Sequence, residues 1–128
     1  MKYKYHKILF TALISLLSSN IIYAEDCKAS EDSSRLTVAG GSLTEIVYLL
    51  GQEKKLIAVD ITSNYPDKAK ELPSIGYVRA LSAEGVLSLS PTLILGENDM
   101  GPPAVIEQLD RVGVQIEIIP EENTAKGI

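Results

Sequence analysis

Apolar residues along this chain come in short blocks, set apart by glycine, proline and polar stretches, and two spacings alternate between the blocks. Leu36-Thr37-Val38-Ala39 is a β-type run that ends at Gly40-Gly41. Ser42 then opens a helix. Ser42 and Glu45 have the spacing of a capping box, in which each side chain satisfies a backbone donor of the other. Leu43, Ile46, Val47 and Leu50 fall on one face of that helix, and Gly51 stops it. Leu56 to Val59 predicts a second strand. Ile61 to Lys70 reads as a loop holding Asn64, Tyr65 and Pro66, with room for a short helical turn over 67–72. Ser82 caps a helix that runs to about Leu89, and Pro91 breaks it. Thr92 to Leu95 is the third strand. Gly101-Pro102-Pro103 leads into a third helix, with Val105, Ile106, Leu109 and Val112 on one face and Gly113 at its end. Val114 to Ile119 is the fourth strand, closed by Pro120.

Strands that alternate with helices predict an α/β domain: a Rossmann-like parallel sheet with helices on both faces. The strand blocks are short apolar runs, the pattern of strands covered on both sides. Right-handed crossovers then fix the hand of the fold.

The first residues carry a different pattern. Lys2, Lys4 and Lys7 precede an almost wholly apolar stretch from Ile8 to Leu17, and Ile22-Tyr23-Ala24 ends in a small residue. That layout predicts a secretory signal peptide over residues 1–24, since the apolar run is short for a bilayer span. Residues 25–34 are polar and read as a disordered leader. Without residues 1–24 the chain keeps nine basic against 17 acidic residues, a net charge of −8. Such a chain is a poor partner for nucleic acid, which needs clustered Lys and Arg, and no membrane insertion of the mature chain is expected.

Composition removes several chemistries. The one histidine, His6, lies in the signal peptide. The mature chain therefore lacks the usual general base and the commonest transition-metal ligand. The one cysteine, Cys27, cannot form an internal disulfide, and Glu25 and Asp26 separate it from the cut that a lipoprotein would need. Gly40-Gly41-Ser42 precedes a helix but completes no dinucleotide or P-loop fingerprint, so it reads as a tight strand-to-helix turn. These absences argue against an enzyme.

Three segments carry a family resemblance. Val38 to Gly51 (VAGGSLTEIVYLLG) resembles the opening strand and helix of the ABC-importer binding proteins for haem, siderophores and cobalamin. Asp60 to Pro66 (DITSNYP) resembles the next loop of that group, with its aromatic–Pro pair. Leu72 to Pro91 (LPSIGYVRALSAEGVLSLSP) is the most specific piece and resembles the haem branch, the periplasmic haemin-binding proteins.

The resemblance implies a periplasmic protein that binds haem and delivers it to an inner-membrane ABC permease, without catalysis. It also implies that Tyr77 is the axial ligand of the haem iron, as a phenolate, with Arg79 close by to favour the anionic form. A phenolate is a hard anionic donor that suits ferric iron, and tyrosine is a known haem ligand. Glu84 stands where the resemblance places a permease-docking glutamate, and it also suits the first turn of a helix on dipole grounds. Glu45 has the same two readings, with the capping box the simpler one. Family members have two lobes joined by a long helix. Residues 35–120 correspond to the N-terminal lobe, and residues 121–128 to the start of the inter-lobe helix in a truncated chain. Three other readings stay open: a siderophore- or cobalamin-binding lobe in which Tyr77 only packs, a small flavodoxin-like enzyme with a nucleotide at its strand ends, and a remnant without activity.

Overall fold

The computed structural model describes residues 29–121 and residue 124. The expected signal peptide, Cys27 and most of the expected inter-lobe segment lie outside the described residues.

Four parallel strands form one sheet in the order β2-β1-β3-β4: β1 Leu36–Ala39, β2 Leu56–Val59, β3 Leu93–Glu97 and β4 Gln115–Ile119. Helix α1 spans Gly41–Leu49, α2 Ala83–Leu87 and α3 Pro103–Arg111, with 3-10 turns at Glu53–Lys55 and Asp67–Glu71. The Rossmann-like α/β class expected from the alternating blocks is the class observed.

The two faces of the sheet hold separate cores. Leu36, Val38, Leu56, Val59 and Leu93 pack with Val47 of α1 on one side. Ala39, Ala58 and Ile94 pack with Val86 of α2, Leu109 of α3 and the 75–81 segment on the other. Each Val, Leu or Ile among them, once fully buried, contributes about 1.5–3 kcal/mol. Strand β4 is the exception to coverage on both faces. Its Ile116 pairs with Ile94 on the side of α2 and α3, whereas Gln115 and Glu117 alternate toward the other side and bond each other. An edge strand with one open face keeps the two-residue alternation that the inner strands lose.

Two local expectations are corrected. The capping box does not form: Gly40 is the N-cap of α1, without a side-chain bond, and Ser42 lies inside the helix with its hydroxyl on Glu97. Gly40 has φ +145°, so the chain turns two residues before the expected cap, a conformation open to glycine. The buried stripe of α1 is also rotated from the expected face. Thr44 and Val47 are buried, whereas Ile46 is 48% and Leu50 66% exposed. Thr44 can face the sheet because its hydroxyl is satisfied there, by the Gly40 carbonyl at 3.1 Å and Ser63 Oγ at 2.8 Å.

Helix α2 does have its expected cap, Ser82, whose Oγ accepts from the Gly85 N–H at 3.3 Å. The helix ends at Leu87, earlier than the expected Leu89. The Arg35 guanidinium takes the carbonyls of Leu89 at 2.6 Å and Ser90 at 2.7 Å, and Ser90 turns to φ +51° before Pro91.

Candidate functional site

In an open parallel sheet, ligands meet the carboxyl ends of the strands, at the point where the chain reverses its direction of travel across the sheet. Here that point lies between β1 and β3. The segments arriving there are 40–42 after β1, 60–66 after β2 and 97–101 after β3, with 76–79 joined to the last two.

Gly40 and Glu97 meet across this crevice. A Cβ on Gly40 would collide with the Glu97 side chain, and Ser42 Oγ bonds Glu97 Oε1 at 2.7 Å. Asp60, only 2% exposed, ties the neighbouring loop to the same turn. Its Oδ1 accepts from the Gly40 N–H at 3.1 Å and the Ser63 hydroxyl at 2.8 Å. Its Oδ2 accepts from the Thr62 N–H at 3.0 Å and the Thr62 hydroxyl at 2.7 Å. Four donors on one buried carboxylate offset its desolvation and hold the loop that carries Tyr65. Asp60 carried no role of its own in the Asp60–Pro66 resemblance. The signal available was an acid at a strand end followed by Thr and Ser, the composition of a side-chain-bonded turn.

The segment carrying Tyr77 and Arg79 is pinned from both sides. Ile75 donates its N–H to the Val59 carbonyl, and the Gly76 carbonyl accepts from the Ile61 N–H at 2.9 Å. The Val78 carbonyl accepts from the Gly101 N–H at 3.0 Å, and the Leu81 N–H donates to the Gly101 carbonyl at 2.9 Å. Ile75, Val78 and Leu81 are buried, which leaves Tyr77 pointing outward, 41% exposed. Gly76 provides the bend with φ +92°. Arg79 is exposed and pairs with Asp99, its Nε and Nη2 both at 2.5 Å from Asp99 Oδ2. That hydrogen bond, then the charge of Asp99 and that of Tyr77, push the guanidinium pKa above its ordinary value. Arg79 is thus an exposed cation paired with Asp99, two residues along the chain from the phenol. Glu84 is exposed in the first turn of α2, apart from this loop in the sequence and on a different element.

An open groove of about 560 Å³ lies along α1, with Ile46, Tyr48, Leu49, Tyr65 and Pro66 among its walls; Tyr77 does not line it. Among the described residues, no group of three or more His, Cys, Asp or Glu side chains is placed to hold a metal ion. No described helix is long and apolar enough to cross a membrane.

The chain matches the sequence profile of a family of periplasmic binding proteins over residues 36–128. A periplasmic haem-binding protein from Pseudomonas aeruginosa superposes with a TM-score of 0.70 at 47% identity, over 73% of this chain and 34% of that one. A periplasmic haem-binding protein of Vibrio cholerae gives 0.68 at 40% identity, over 76% of this chain and 37% of that one. A vitamin B12-binding protein of Yersinia pestis is 32% identical over 68% of this chain and 31% of its own length. The chain therefore spans about a third of the length of these relatives.

Proposed function

Since the chain belongs to the periplasmic binding protein family, we propose that it forms the haem-contacting N-terminal lobe of a binding protein that feeds an ABC permease from the periplasm. In this reading Tyr77 ligates ferric haem through its phenolate and Arg79 stabilises that anion. Glu84 docks on the permease. The signal peptide over residues 1–24 directs export. Haem is cargo here, and the lobe performs no catalysis.

One observation carries the proposal: Tyr77 projects outward at the carboxyl-end rim of the sheet, between buried Ile75 and Val78, with the Arg79 cation two residues on. A phenol so placed is accessible to a flat macrocycle, and tyrosine is a known haem ligand. The haem reading draws support from the 47% and 40% identity to two haem-binding structures.

Haemin titration tests the reading. The expected result is a tyrosinate-to-iron charge-transfer band that Tyr77→Phe abolishes while far-UV circular dichroism stays unchanged. An unchanged spectrum in that variant overturns the assignment of Tyr77. A second reading, a corrinoid-binding lobe, draws on the vitamin B12-binding relative. Saturable binding of cyanocobalamin, with no haemin band, would favour it.

A further inference from the structure

Asp99 belongs to no segment that the sequence reading selected, yet it is the one carboxylate bonded to Arg79 among the described residues. Both Arg79 contacts converge on the same oxygen, Oδ2. The other acids of the rim are engaged elsewhere: Asp60 by its four donors, and Glu97 by the Ser42 hydroxyl.

The position of Asp99 is set by its neighbours. Met100 is buried, its N–H donates to the Glu97 carbonyl at 3.0 Å, and its side chain fills the space where Gly96 lacks a Cβ. Gly101 then exchanges two backbone bonds with the Tyr77 segment, through Val78 and Leu81. The 97–101 turn and the 76–81 segment are thereby locked together, with Asp99 held at a constant place relative to Tyr77. Arg79, by contrast, is a long exposed side chain on a bend and would sample many rotamers if it had no partner.

We infer that Asp99 is the positioning residue of the site: it holds the Arg79 guanidinium beside the Tyr77 phenol, ready before the ligand arrives. This deepens the haem reading and rests on it for its consequence, though the anchoring itself concerns the free chain. The cost of ordering Arg79 is met by Asp99 in advance, so less is lost when the ligand binds.

The test uses the whole chain and two readouts. In the free protein, nitrogen-15 relaxation of the Arg79 Nε–H is expected to show an ordered group, which becomes mobile in Asp99→Ala, and the Tyr77 ring resonances are expected to shift. With haemin as probe, Asp99→Ala and Arg79→Ala are each expected to weaken binding by about fivefold, the upper range for an exposed ion pair. The double variant is expected to be no weaker than Arg79→Ala alone, because two residues acting through one interaction are not additive. The tyrosinate band stays in Asp99→Ala, since the ligand residue is intact. An Arg79 Nε–H that remains ordered without Asp99 overturns the inference, and so do additive losses in the double variant. If the unaltered chain gives no tyrosinate band, the haem reading fails, and the relaxation and ring shifts in the free chain decide the anchoring by themselves.

Discussion

Replacing Asp60 with alanine is the sharpest test of how the rim is built. The carboxylate takes four hydrogen bonds in a setting only 2% exposed. In Asp60→Ala the Gly40 N–H and the Ser63 hydroxyl lose their Asp60 acceptor while buried. Each such loss costs about 1–3 kcal/mol. The Ser63 hydroxyl recovers part of this, because Thr44 Oγ1 lies at 2.8 Å and the Gly40 carbonyl at 3.4 Å. Thr62 is exposed, so water replaces the acceptor for its two donors at little cost. The expected total is about 2–4 kcal/mol. Domains of this size have roughly 5–15 kcal/mol of stability, so the loss is a large fraction of it. Asp60→Asn keeps one acceptor oxygen for the buried pair and is expected to cost less, about 1–2 kcal/mol. Urea unfolding followed by far-UV circular dichroism measures both. A loss under about 0.5 kcal/mol in Asp60→Ala, within the range of an ordinary surface change, would refute the view that this carboxylate ties its own loop to the turn at Gly40.

Three further outcomes follow from the same geometry. The Thr37 hydroxyl is fully buried in the central strand without a hydrogen-bond partner, so Thr37→Val is expected to stabilise the chain by about 1 kcal/mol in the same urea assay. Gly40→Ala places a Cβ against Glu97 at a φ of +145° and is expected to cost about 2–4 kcal/mol, read as a lowered melting temperature. Burial, followed by the charges of Glu53 and Glu71, raises the Tyr48 phenol above 10.0. The unfolded chain then loses that proton first, so stability present below pH of about 10 falls as pH rises through the folded value. Tyr48→Phe is expected to flatten this alkaline decline in melting scans taken between about pH 9 and 11.

Local signals in the chain set much of this structure. The β blocks at Leu36, Leu56, Leu93 and Gln115 and the helices between them follow from apolar spacing, glycine stops and prolines. The Ser82 cap was legible because a hydroxyl ahead of a helix has one useful donor within reach. The Gly76-Tyr77-Val78-Arg79 segment stood out only through its family resemblance, and the exposure of the phenol follows from apolar anchors on either side of it.

What the chain alone left undecided depends on strand order. Placing β1 between β2 and β3 brings Gly40 against Glu97 and within a hydrogen bond of Asp60, and no local rule relates positions so far apart in sequence. The face that α1 buries was undecided for a similar reason. Helical spacing offered Ile46 and Leu50, but partners at Gly40 and Ser63 let Thr44 turn inward, leaving the larger apolar side chains toward solvent. The Arg79–Asp99 pair likewise exists because two backbone bonds through Gly101 draw one loop onto the other. Periodicity reports which residues can share a surface, whereas tertiary packing alone selects which surfaces meet, because the free energy of that choice resides in contacts between distant segments.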